Sequence, residues 1–353
     1  MSENNNEYES LAQALDRLPN GFPSTASNVE IALLKKIFGP AEAYLAGQLK
    51  GEMEPIESIA ERAGLSAKDA QRRLLQMAKR GLVWFDKRDG KSHFRLAPFI
   101  VGIYEAQLDS MDHELAHLFE QYMLEGGAKG IMQYEPALQR IVPAASLAKS
   151  EWILPYDDIK AIIRANKRFW VRNCICRVQQ ANIGHKCDLP LNMCLSLSPV
   201  DNPGRPGNLS EDEALGLLDQ AEELGLVHSV SNIQTGVNYI CNCCGCCCAI
   251  LRGITQWGIA ESVAQANYFA TIDSAECSNC GTCIGRCQVK AIAETDGISV
   301  VDKKKCIGCG LCVTGCPTGA ARIQRKPDTE IIMPPVNYDE WEHRRSHSRG
   351  LIG

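Results

Sequence analysis

Eight cysteines fall in two runs of one spacing, C-x2-C-x2-C-x3-C: Cys277, Cys280, Cys283 and Cys287, then Cys306, Cys309, Cys312 and Cys316 followed by Pro317. This spacing presents three thiolates from a tight loop to one cubane iron–sulfur cluster while the fourth cysteine crosses to another. Two [4Fe-4S] clusters are therefore expected between Glu276 and Pro317. Gly281, Gly285, Gly308, Gly310 and Gly315 allow the backbone to pass close to cluster sulfurs and aim N–H groups at them. Between the runs, residues 291–302 alternate apolar and polar around Asp296-Gly297, which predicts a hairpin. Structural zinc also uses C-x2-C pairs. Two tandem triplets, each with a trailing fourth cysteine, favour clusters over it.

The segment resembles a bacterial two-cluster ferredoxin domain. Carried over from that family, Cys277, Cys280, Cys283 and Cys316 hold one cluster, and Cys306, Cys309, Cys312 and Cys287 hold the other. The first run departs from the family pattern where Gln288, rather than proline, follows Cys287. That change weakens a turn signal and leaves the ligands intact.

All 18 cysteines lie from Cys174 onward, in a chain of 353 residues that is 45% hydrophobic and 22% charged. A secreted disulfide scaffold is typically short, and the opening MSENNNEYES lacks the basic and apolar regions of a signal peptide. The thiols are expected to be reduced and metal-bound in a cytoplasm of anaerobic type. No apolar run approaches transmembrane length, so no direct membrane insertion is expected.

The other ten cysteines form a second group: Cys174, Cys176, Cys187 and Cys194, then Cys241, Cys243, Cys244, Cys246, Cys247 and Cys248. Free thiols in such number are reactive liabilities, which argues for metal, with a subset of them holding one or two further iron–sulfur clusters. Ser210, with Glu213 three residues on, opens a capped helix between the two halves of the group. The C-x-C-R start and the CNCC-x-CCC block resemble a cysteine-rich module found beside ferredoxin domains in iron–sulfur proteins of anaerobic bacteria and archaea. Arg177 is a candidate donor to cluster sulfurs, or an ordinary salt-bridge partner. His185 and His228 are candidate non-thiolate ligands. A helix is expected from Ala249 to about Ala270, with its N-terminus at the cysteine block.

The cysteine-free half resembles a winged helix-turn-helix between Pro55 and Leu96. Ile56, Ile59 and Ala60 face inward, Gly64-Leu65 makes the turn, Ser66 caps the second helix, and strands flank Arg88-Asp89-Gly90-Lys91. The net charge of −5 argues against general nucleic-acid affinity. Residues 66–95, however, hold nine basic and three acidic residues, a net of +6. In DNA-binding members of that fold, Lys68, Arg72 and Arg73 would lie on the groove helix and Lys87, Arg88 and Lys91 on the wing. Winged helices also dock proteins, so DNA contact stays one of two expectations. A long helix is expected from Gly102 to Glu125. Its His113-Glu114-Leu115-Ala116-His117 matches a zinc-protease motif but lacks a convincing third ligand.

The expected class is multidomain α+β. It comprises a flexible arm (1–26), a winged helix-turn-helix domain (27–100), an α-rich helical connector (101–150), a cysteine-rich iron–sulfur cluster module (151–265), a ferredoxin-like 2[4Fe-4S] domain (266–330) and a tail (331–353). No glycine-rich nucleotide loop follows a strand. The expected function is therefore iron–sulfur electron transfer with a redox partner protein or oxidoreductase complex, rather than a self-contained enzyme. Two alternatives stand beside it: a redox-responsive winged-helix transcription regulator that binds DNA, and a reductase with a catalytic cluster in the ten-cysteine module.

Overall fold

The computed structural model describes residues 6–144, 147, 153–201 and 207–353. Residues 1–5 of the expected arm, 145, 146 and 148–150 of the connector, and 151, 152 and 202–206 of the cysteine-rich module lie outside the described residues. The chain divides into two compact units, one of residues 1–131, 178–185 and 345–353, the other of 132–177 and 186–344.

In the first unit, the segment expected as a loose arm contains the helix Asn6–Asp16, with Tyr8, Leu11 and Leu15 buried. These residues stand at i, i+3 and i+7, the spacing that puts one apolar stripe against a core. The unit is completed by residues 345–353. The guanidinium of the fully buried Arg345 donates to the Pro19 carbonyl (2.9 Å) and to the Ile131 carbonyl. Arg349 holds Asp16 through its carboxylate (2.8 Å) and its carbonyl (2.7 Å).

Two helices, Ile56–Ala63 and Ala67–Lys79, precede an antiparallel hairpin, Val83–Arg88 with Lys91–Leu96. The short strand Glu54–Pro55 adds to the free edge of Lys91–Leu96. Ser66 caps the second helix by accepting the Asp69 N–H at 3.1 Å.

The helix expected over 102–125 is broken. After a single turn at Tyr104–Ala106 the chain passes through a tighter turn at Leu108–Ser110, Met111 and Asp112 are extended, and regular helix resumes at His113–Tyr122. That restart is capped by the Asp112 carboxylate, which accepts the Leu115 N–H at 2.8 Å. Tyr104 and Phe119 stack at 3.9 Å, and Phe22 packs against Phe99 and Tyr122, so aromatic burial fixes the break.

The second unit is built on a five-stranded antiparallel sheet. Its strands lie in the order Gln139–Ile141, Val227–Ser231, Tyr239–Cys243, Cys194–Ser198, Arg168–Arg172. On the first of these strands Arg140 pairs with Asp157 at 2.9 Å, both nearly fully buried. Arg140 also donates to the carbonyls of Tyr156 (2.6 Å) and Ile233 (3.1 Å). The helix Glu211–Glu223 begins at the capping box of Ser210 and Glu213.

The helix after the cysteine block is shorter than expected, Ala249–Thr255. Gly258, at φ 68°, turns the chain back, and the Ser262 hydroxyl donates to the Ile250 carbonyl at 2.9 Å. A Cβ on Gly253 would lie 2.4 Å from that of Ser262, so glycine permits the fold-back. Residues 268–272 are then a strand antiparallel to Ala321–Arg325. The hairpin Ile292–Thr295 and Ile298–Val301 turns on Asp296-Gly297, both with positive φ.

The tail expected over 331–353 contains the helix Tyr338–Ser348. In the second unit its Trp341 is buried and donates to the Ala137 carbonyl at 2.9 Å.

Candidate metal centres

Each cysteine of the run 306–316 lies 29 residues after its counterpart in 277–287, and the two loops fold alike. Gly281 and Gly310, with φ of 72° and 76°, immediately precede the short helices Thr282–Arg286 and Leu311–Thr314. Those turns carry Cys283 and Cys312 inward to 8% and 7% exposure. Gly308 passes so close to Tyr268 that a Cβ would meet its carbonyl oxygen at 2.3 Å.

Cys277, Cys280, Cys283 and Cys316 line one cavity, with Ile272 and Thr318 among its walls. Cys287, Cys306, Cys309 and Cys312 form a neighbouring electrostatic set. Burial pushes the Cys309 thiol up to about 12, and pushes Cys312 and Cys287 upward as well. Backbone N–H groups already point at sulfur: Ala291 at Cys287 (3.1 Å), Ala321 at Cys316 (3.4 Å) and Ala270 at Cys306 (3.5 Å). All-sulfur donor sets with N–H groups on the sulfurs fit [4Fe-4S] clusters, which supply one-electron chemistry when bound.

The ten remaining cysteines separate into two groups. Six form a closed ring of neighbouring thiols, in the order Cys174, Cys176, Cys248, Cys243, Cys241, Cys194 and back to Cys174. The sheet explains half of it. Cys241 and Cys243 are two apart on one strand and share a face, while Cys194 starts the strand paired beside them. Hydrogen bonds from their neighbours hold Cys174, Cys241 and Cys248 low, Cys241 at about 6. The donors between them, Cys176, Cys194 and Cys243, are correspondingly raised.

The other four, Cys187, Cys244, Cys246 and Cys247, place their sulfurs within 4.8 Å of one another. Cys244 and Cys247 belong to an apolar cluster with Met193, Ala221 and Leu226, whereas Cys246 is exposed. Hydrogen bonding from Cys247 pushes Cys244 down to about 5, against the opposing effect of burial and with help from Arg177.

Arg177 is 1% exposed and donates to the carbonyls of Pro190 (2.8 Å) and Asn242 (2.9 Å). Burial works against its charge, but Cys174 and Cys244 beside it outweigh that effect and raise its pKa. The residue thus faces both thiol groups. His228, weighed as a ligand, is instead buried between Asn242 (2.7 Å) and Glu222 (3.3 Å). His185 is exposed and belongs to the unit without cysteines.

One element of the site went unread in the sequence. Gln288 accepts the Gly245 N–H at 2.7 Å and donates to the Gly225 carbonyl at 2.8 Å. Next to it, Arg286 donates to the carbonyls of Glu222 (2.6 Å), Glu223 (3.1 Å) and Leu311 (2.8 Å). The run 277–287 is thereby stitched to the cysteine block and to the end of the helix Glu211–Glu223. The signal was glutamine standing where the ferredoxin pattern has proline.

In the first unit, Lys68, Arg72, Lys87, Arg88 and Lys91 are exposed and Arg73 is half-buried. Arg72 pairs with Asp69 (3.0 Å) and Arg88 with Asp86 (3.1 Å), which removes part of the free positive charge. His113 and His117 bring their Nε2 atoms to 3.2 Å, while Glu114 is engaged by Lys36. Among the described residues no third metal-binding side chain joins the two histidines.

Residues 299–322 match the family model of the 4Fe-4S binding domain. The chain carries a ferredoxin-type 4Fe-4S domain. The match takes in Cys306, Cys309, Cys312 and Cys316, the whole of the second run. No curated protein matches the chain. Among the described residues no helix is long and apolar enough to cross a membrane.

Proposed function

We propose that this chain is an iron–sulfur electron-transfer protein that relays electrons through two ferredoxin-type [4Fe-4S] clusters to or from a redox partner protein or oxidoreductase complex. The observation that carries the reading is the pair of like-folded cysteine loops, four of whose thiols line one cavity, with the second loop matching the 4Fe-4S family. On this reading Cys277, Cys280, Cys283 and Cys316 serve one cluster and Cys287, Cys306, Cys309 and Cys312 the other. The six-thiol ring is where a further cluster would extend the relay. Because the thiols bind as thiolates, loading displaces the protons that burial holds on residues such as Cys309, so it releases protons and strengthens as pH rises.

The test is iron and acid-labile sulfide per chain on anaerobically purified protein, with reduced-state electron paramagnetic resonance. Two cubes require about eight irons and about eight sulfides. Markedly fewer, or no paramagnetic reduced state, overturns the reading.

A second reading is DNA binding through a winged helix at residues 54–96. It is favoured by the strand–helix–helix–hairpin order and by the exposure of Lys68, Arg72, Lys87, Arg88 and Lys91. On that reading the clusters would sense rather than conduct.

A further inference from the structure

Sulfur spacing separates the cysteines of the second unit into two kinds. In a single tetrahedral ion site with metal–sulfur bonds of 2.3 Å, the four sulfurs stand about 3.8 Å apart. A cubane interposes its own irons and sulfides and holds the four thiolates about 6 Å apart. Cys246 lies 3.6 Å from Cys247 and 3.7 Å from Cys187, and Cys187 lies 4.0 Å from Cys244, sulfur to sulfur. Among the described residues, these four are the one group of three or more metal-binding side chains drawn within 4.8 Å. Neither the six-thiol ring nor the ferredoxin cysteines meet that limit, so the compact spacing is not a general property of cysteines in this fold.

We propose that Cys187, Cys244, Cys246 and Cys247 bind one thiophilic divalent ion, zinc or iron(II), as a tetrathiolate with no bridging sulfide. Binding exchanges four S–H protons for one M²⁺ and leaves a centre of charge −2, with no electron transferred. The Arg177 guanidinium against Cys244 offsets part of that charge. Buried Cys244 and Cys247 sit in an apolar cluster, and exposed Cys246 opens a route for the ion. All four protein positions are filled by thiolate, so the ion has no open site for substrate and acts structurally. It fixes the turn of residues 245–247, and with it the direction in which Cys241, Cys243 and Cys248 enter the ring. The inference does not depend on the electron-transfer reading.

The experiment measures zinc, iron and acid-labile sulfide on the full chain and on the variants C246S and C187S. The expected result is one metal equivalent per chain not matched by sulfide, lost in both variants while iron bound with sulfide stays unchanged. X-ray absorption on the unmodified protein, at the zinc edge or, after cobalt(II) exchange of the ion, at the cobalt edge, supplies a readout that needs no variant. Four sulfur neighbours at about 2.3 Å with no second metal nearby support the proposal. Loss of about four irons together with about four sulfides in C246S means a cubane and overturns it. The absence of any metal beyond sulfide-matched iron in the unmodified protein overturns it equally.

Discussion

Gln288 receives the backbone N–H of Gly245 at 2.7 Å, linking the residue after the last cysteine of one ferredoxin loop to the centre of the CNCC-x-CCC block. The approach is tight, since a Cβ on Gly245 would lie 2.0 Å from the Gln288 carbonyl oxygen. Glutamine at 288 therefore performs a task that proline, with no side-chain amide, cannot.

Replacing Gln288 with Ala strands the Gly245 N–H and the Gly225 carbonyl. The expected loss of stability is about 1–3 kcal/mol, the penalty for part-buried polar groups left without partners. Q288P, which restores the ferredoxin pattern, should be no better. Calorimetry on the loaded protein checks both, and a Q288P variant as stable as the parent would mean that the link carries no weight.

Replacing Cys309 with Ala should remove one cube and leave the other, because Cys309 belongs to only one of the two ligand sets. Iron content should fall by about four per chain. Reduced-state spectra should simplify, since spin coupling between the two centres disappears. If both signals persist unchanged, the ligand assignment is wrong.

Arg140 and Asp157 make a buried pair whose disruption leaves an uncompensated charge. R140M is expected to cost about 3–5 kcal/mol, and R140M/D157L to recover much of it. Burial raises Asp157 to about 6 even against the pull of Arg140. The folded chain therefore retains this proton where the unfolded chain has released it. The stabilisation from this group is full below about pH 4 and is lost as pH rises through about 6. Asp157→Asn should flatten that part of the stability–pH curve, and an unchanged slope would exclude Asp157 as its source.

If the basic helix and hairpin of the first unit bind duplex DNA, K87A and K91A should each weaken binding evenly across sequences. Each should also lower the slope of log affinity against log salt by about 1. Fluorescence anisotropy at low and moderate salt measures this. An absence of binding at low salt would leave the positive charge as a solvated face.

Local rules made much of this legible in the sequence. The cap at Ser66, the capping box at Ser210 and the turn at Asp296-Gly297 are decided by residues within a few positions of one another, and each is present. The division of ten cysteines into six and four was not legible. It depends on which strand of the sheet lies beside which, so Cys194 meets Cys241 across a long sequence separation. The break between Ala106 and His113 escaped for a related reason: it is held by the stacking of Tyr104 on Phe119 across it, a contact that no local pattern announces. The N-terminal helix was obscured by the prolines and glycine at 19–23, which mark where it stops and not whether it packs.

Arg345 and Arg349 complete a unit whose other residues are made far earlier. During synthesis, the carbonyls of Pro19 and Ile131 and the carboxylate of Asp16 wait while more than 200 intervening residues emerge, including every cysteine. The first unit therefore reaches its final form only after the metal-binding stretch has left the ribosome. A chain interrupted within the cysteine-rich region would leave the Pro19 and Ile131 carbonyls and the Asp16 carboxylate without these arginine partners, so its N-terminal unit would stay unfinished.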